Sequence, residues 1–306
     1  MKLYSLLFTN EAAQTVEGSL GKGIAAFSAR GAIILVSSRR VLESLRSRIK
    51  KAGLPSYLKP KKTISSTEEE EEDFDMDADW DERQNFQDKL ANALSSHALV
   101  GSVVYHKTGT GTELFKVDTS AGVNKFGPLA YQLVMNAIKP MWLKSDFTLK
   151  EGSQGVWNKM YELSNQGVYE HRWLGEFDGG ERLIREATMV NDKTELYMGG
   201  FWKMIKDYNH MIDLNARLNE PEQLPPNPYK EEVFLKFLEE NPSARPYSGQ
   251  FWAYRLANPD PKIEELFDNG NDLLETMQTD YGIPQKTALG LITDAADKFF
   301  SRLYHE

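Results

Sequence analysis

Few side chains in this chain stand at spacings that do chemistry, and the absences narrow the field first. Cysteine is absent, which excludes thiolate zinc sites, iron–sulfur clusters, disulfides and a cysteine nucleophile. The five histidines, His97, His106, His171, His210 and His305, include no pair at metal-ligand spacing on a common helix face, so no metal is expected. No serine occupies a GxSxG turn, and no GxxxxGK[ST] phosphate loop occurs. The TGTGT run from Thr108 joins two expected strands and does not open a helix, so it reads as a hairpin turn. What remains is Leu114 to Leu163, where a strand leads through a loop to Gly127 directly before a helix. Such a helix start presents unpaired N–H groups and the positive end of a dipole, which suits a pyrophosphate. Trp157 and Tyr161, spaced i, i+4, share a helix face and most simply pack together. Glu113, Asp118 and Glu170 are either candidate bases for an amine or solvated strand-end carboxylates, and Lys125 and Lys139 either meet phosphate or water.

The elements that must position these groups follow from periodicity. Leu3 to Phe8 reads as a strand, Asn10 to Leu20 as a helix, and Ala32 to Val36 as a strongly apolar strand. Ser38 is placed to cap an amphipathic helix running to Ala52, with Gly53 to stop it. Phe86, Leu90 and Leu94 mark a helix, Ala98 to His106 and Glu113 to Thr119 two strands, and Pro128 to Lys139 a helix ended by Pro140. A short strand at Met141 to Leu143, a helix at Lys150 to Leu163 and a strand at Val168 to Leu174 continue the alternation. Leu183 to Val190 and Glu195 to Met198 bracket an NDKT turn and are expected to form a hairpin. Beyond Pro221, Pro225, Pro226 and Pro228 the apolar period returns to about 3.6, through Phe234 and Phe237 and again from Leu289 to Leu303. The expected class is therefore α/β with α+β character: a central sheet flanked by helices and a mostly helical C-terminal third.

Gly127, Pro128, Leu129, Ala130 and Tyr131, followed by Asp146 and then by Val156, Trp157 and Tyr161, resemble the GNAT N-acetyltransferase superfamily, and more closely the GNAT-like proteins of tailed bacteriophages. The resemblance covers roughly Ala98 to Leu174. It implies a GNAT-like sheet, with acyl-CoA pyrophosphate on the backbone amides of Asn124, Lys125, Phe126, Gly127, Leu129 and Ala130. A helix tyrosine, here Tyr161, would protonate the departing thiolate. The chain departs from the family's [RQ]xxGx[GA] turn: Asn124 replaces Arg or Gln, Leu129 replaces the second small residue, and Pro128 removes an amide donor. Trp157 falls where the family's helix tyrosine stands if Ser153 matches the small residue of that helix pattern, and an indole N–H has no useful acidity. Weak or absent acetyl-CoA binding is the expectation. The resemblance then implies a virion-associated structural or protein-interaction component with a degenerate site, or else an active acyl-CoA-dependent N-acyltransferase acting on a protein or small-molecule amine.

Charge is unevenly spread over the 306 residues, whose formal net charge is −9. Glu68 to Glu82 holds eleven acids and no base, whereas Met1 to Lys62 holds twelve Lys or Arg against Glu11, Glu17 and Glu43. Self-repelling acids with few apolar neighbours read as a flexible insertion, and the basic Arg39 to Lys62 segment reads either as a solvated helix face or as a contact for nucleic acid. The expected organisation is a basic region at 1–62, the acidic insertion at 63–85, a GNAT-like core at 86–200 and a helical region at 201–306. Other proteins, phage virion components among them, are the expected partners. No apolar stretch approaches a signal peptide or a membrane span, so the expected location is the host cytoplasm or the phage virion.

Overall fold

A computed structural model describes residues 23–52, 76–108, 113–122, 126–146, 151–189, 192–218, 222–244, 246, 248–258 and 260–305. The expected strand at Leu3 to Phe8, the helix at Asn10 to Leu20 and the tip of the TGTGT turn lie outside these residues. The protein is a mixed α/β structure. Among the described residues seven strands, β1 (Ile24–Ala29), β2 (Ala32–Ser37), β3 (Leu99–Lys107), β4 (Leu114–Gly122), β5 (Trp142–Lys144), β6 (Tyr169–Trp173) and β7 (Trp252–Leu256), join in the order β1-β2-β3-β4-β5-β7-β6. β4 is the middle strand and β6 lies in the same sheet, as the sequence leads one to expect. Among the described residues the helices are α1 (Ser38–Ala52), α2 (Met76–His97), α3 (Phe126–Ala137), α4 (Glu151–Ser164), α5 (Gly180–Met189), α6 (Asp192–Asn215), α7 (Glu231–Glu240), α8 (Pro261–Tyr281) and α9 (Gln285–His305).

One expectation is corrected and two are made more specific. The hairpin anticipated between Leu183 and Met198 is instead α5 followed by the start of α6. Leu183, Ile184, Ala187 and Thr188 are buried together, the face of a helix and not the alternation of a strand. The acidic insertion is not irregular throughout, because α2 begins at Met76 within it. The C-terminal third is mostly helical but also contributes β7, which pairs antiparallel with both β5 and β6.

The chain divides into two compact units that interleave along the sequence. One gathers the described residues between 23 and 104, between 120 and 133 and between 260 and 305. In it β1 and β2 form an antiparallel hairpin around Arg30 and Gly31, both at positive φ, the backbone of a tight two-residue turn. Phe27, Ile34, Val36, Val41, Leu45, Phe86, Leu90 and Leu94 meet Leu273, Met277, Leu291 and Ile292 of α8 and α9 in one apolar core. The other unit gathers the described residues between 105 and 119 and between 134 and 258. Its core is aromatic: Trp173 stacks on Phe251 at 5.9 Å, and Phe234 lies 4.4 Å from Phe251 and 5.0 Å from Phe201 between ring centroids.

Candidate functional site

The two groups of residues singled out by sequence lie in different units: Phe126, Gly127, Leu129 and Ala130 in one, Tyr161 in the other. Asn124 and Lys125 fall outside the described residues. α3 starts at Phe126, so Gly127 and Pro128 belong to its first turn and not to a preceding loop. Proline is tolerated there because a first-turn N–H has no helical partner to lose. Phe126 is buried, and its ring fills the space over two glycines. A Cβ at Gly101 would come within 2.8 Å of that ring, and one at Gly122 within 2.7 Å. Leu129, Ala130 and Tyr131 are likewise buried, so the residues that follow the glycine are core residues of the helix.

In the other unit Trp157 is fully buried. Its ring lies 5.6 Å from Tyr254, and a Cβ on Gly249 would collide with it at 2.7 Å. The short turn Ser248–Gln250 holds this arrangement. The Ser248 hydroxyl donates to the Trp157 carbonyl at 2.6 Å, the Ser248 N–H to Asn158 Oδ1 at 2.7 Å, and the Ser145 hydroxyl to the Gly249 carbonyl at 2.7 Å. Burial pushes the Tyr254 phenol far up, the Ser248 hydroxyl opposing it in part. One turn beyond Trp157, Tyr161 is half-buried between Trp252 at 4.8 Å and His171 at 5.1 Å. Burial first, then the Glu231 carboxylate, raise its pKa, which makes the phenol a weaker acid than an ordinary tyrosine. Glu231 itself accepts a hydrogen bond of 2.6 Å from the Trp252 indole.

Each carboxylate considered as a base is engaged by a cation. Glu113 pairs with Arg172 at 3.2 Å, Glu170 with Arg255, and Asp118 with Lys116 at 3.6 Å as well as with the His106 ring. In the basic helix α1, Arg39 is paired with Glu43 at 2.8 Å and Arg40 donates to the His97 carbonyl at 3.0 Å, which leaves Arg46, Lys50 and Lys51 on the exposed side.

Sequence reasoning passed over Lys144. It closes the three-residue strand β5, is buried, and donates from Nζ to the Ser145 carbonyl at 3.1 Å. In the parallel register it stands opposite Lys116 of β4, so the two side chains leave the same face of the sheet. Lys116 bridges Asp118 and Asp146, each at 3.6 Å. Burial first, then repulsion from Lys116, lower the Lys144 pKa to about 7, against the pull of Asp146 and Glu186. Lys144, Lys116, Asp118, Asp146 and His106 thus form one ionisable cluster.

The chain matches no family model, no characterised protein and no solved structure. Its chemistry has to be read from its own residues. Among the described residues no group of His, Asp and Glu is arranged to hold a metal ion, and no helix is long and apolar enough to cross a membrane.

Proposed function

We propose that this chain is a GNAT-like protein of the kind tailed phages encode, using the sheet as a scaffold for protein interaction, with an acyl-CoA site that has lost its working parts. The observation that carries this reading is the use made of the residues such a site would need. Phe126, Leu129 and Ala130 are built into the core, Trp157 is sealed beneath the Ser248–Gln250 turn, and Glu113, Asp118 and Glu170 are held in ion pairs. Pro128 supplies no amide to a pyrophosphate, and loss of one charge-assisted hydrogen bond weakens binding about tenfold or more. The strand order supports the resemblance, since a parallel pair, β4 and β5, is joined through helix α3 at the middle of a mixed sheet. The partners under this reading are proteins, virion components among them, and the exposed Arg46, Lys50 and Lys51 offer phosphate contacts should nucleic acid be present.

The alternative, an active N-acyltransferase with Tyr161 as the acid, is opposed by the same surroundings, since the raised pKa makes the phenol a poorer proton donor to a departing thiolate. Calorimetric titration with acetyl-CoA separates the two. The scaffold reading expects a Kd weaker than about 100 μM and no effect of Tyr161→Phe. A low-micromolar Kd lost on Gly127→Trp would restore the transferase.

A further inference from the structure

We propose that the proline-rich segment between α6 and α7 is a preformed polyproline II ligand for a partner protein whose groove is lined by aromatic side chains and rimmed by basic ones. The sequence restricts this segment before any packing does. Pro225, Pro226 and Pro228 have φ fixed at about −65° by their rings. Leu224, Pro225 and Asn227 each precede a proline, which keeps them out of the helical region and in extended backbone. Residues 222–227 form neither helix nor strand, and polyproline II satisfies these restrictions throughout.

Both ends of the segment are tied to the protein. At the entry Asn215, the last residue of α6, holds Glu222 twice: its Nδ2 donates to the Glu222 carbonyl at 2.7 Å, and its Oδ1 accepts from the Glu222 N–H at 3.0 Å. At the exit Asn227 Oδ1 accepts from the Tyr229 N–H at 2.9 Å. Tyr229 is buried, with its carbonyl accepting from the Trp173 indole at 2.7 Å and its hydroxyl bonded to Asn209. Between these anchors residues 222–226 are all exposed, a span of about 15 Å in polyproline II.

A connection that served only to join two helices has no use for an apolar side chain in water. Leu224, directly before the two prolines, is 42% exposed, and Ile212 and Leu218, which flank Asn215 in sequence, are 41% exposed each. Pro225 and Pro226 have no N–H, so the segment offers flat apolar rings and carbonyl acceptors. Tyrosine and tryptophan supply the complement, a ring face for each pyrrolidine and an O–H or N–H for a carbonyl. Glu222 is exposed and Glu220 stands two residues earlier in the sequence, so the rim that receives the entry end is basic. Because the anchors already hold the segment extended, little ordering entropy opposes docking. This inference rests on the protein-interaction reading above and names the class of partner.

The test titrates the full chain into 15N-labelled SH3, WW and EVH1 domains, each with an aromatic polyproline groove, and follows their amide shifts. Shifts confined to the groove of at least one domain are expected, with a Kd below about 1 mM. The double variant Pro225→Ala/Pro226→Ala should weaken that binding about tenfold or more, and Leu224→Ser should weaken it as well. Unchanged hydrogen exchange in α6 and α7 of these variants assigns the loss to the ligand and not to the fold. No groove shift in any of the three domains at about 1 mM chain, or binding that survives both variants, overturns the proposal. Acetyl-CoA affinity should be the same in the double variant, so that titration judges the scaffold reading separately.

Discussion

Lys144 stands where an ammonium is hard to keep. Its pKa falls from 10.5 to about 7 on folding, burial being the larger cause and Lys116 the second. Between those values the unfolded chain holds a proton that the folded chain releases, so folding becomes more favourable as pH rises from about 7 to about 10.5. Below about 7 both states are protonated and the penalty is complete, on the order of 4–5 kcal/mol. Lys144→Met should therefore raise the melting temperature at pH 7, and the gain should shrink towards zero as the pH approaches 10.5. Thermal melts of both proteins across that range check this, and a gain that does not change with pH would mean that the side chain is not desolvated. Local sequence did not mark this residue. Met141 to Leu143 reads as an apolar strand that stops at a charge, because lysine is normally solvated, and two of the groups that act on Lys144, Lys116 of β4 and Glu186 of α5, are remote in sequence.

Elements with strong periodic faces were legible: α1, β2 and α4 fall within a residue of their expected bounds. The β1–β2 hairpin was not, because Arg30 occupies a left-handed position that the usual turn signals reserve for Gly, Asn or Asp. α5 and α6 were misread because their short apolar runs around NDKT match a hairpin locally, and only their packing against one another selects the helix. α3 was legible as a helix, yet its first residue was not recognisable as core. Phe126 is seated over Gly101 and Gly122, which come from β3 and the end of β4, and a glycine in a strand announces close approach without naming the neighbour. Gly101→Ala would bring a methyl within 2.8 Å of the Phe126 ring and 2.9 Å of the Ala121 carbonyl oxygen. The expected cost is about 1–3 kcal/mol in urea unfolding. Phe126→Leu on its own also destabilises, but the double variant should lose less than the sum of the two singles, because the smaller side chain relieves the collision. Strict additivity would show that Phe126 does not fill the space over these glycines.

At the scale of the molecule, chain order and compact units diverge. α8 carries the full set of local signals, with Asp260 accepting from the Lys262 N–H at 3.0 Å, Pro261 in the first turn and Gly282 left-handed at the C-terminal end. Nothing in those signals says that its partners are the first described strands. Gly270 records how close the approach is, since a Cβ there would collide with the Ala26 carbonyl oxygen of β1. Asn269 adds a hydrogen bond of 3.1 Å to the Ile24 carbonyl. Leu273, Met277, Ile283, Leu291 and Ile292 are all buried in the same cluster as Phe27, Ile34, Leu45 and Leu90. Burying each such side chain contributes about 1.5–3 kcal/mol, so together they approach the whole net stability of a domain, about 5–15 kcal/mol. A chain ending at residue 259 should thus fail to fold the unit that contains β1, β2, α1 and α2, even though every residue of those elements is retained. Hydrogen exchange followed by mass spectrometry makes the test local. Peptides covering Ile24 to Ser37 and Phe86 to His97 should lose protection in the shortened chain, and the dye ANS should bind the exposed apolar face. Retained protection in those peptides would show that the N-terminal strands and helices are stable without α8 and α9, and that the unit's core is not shared in the way the packing indicates.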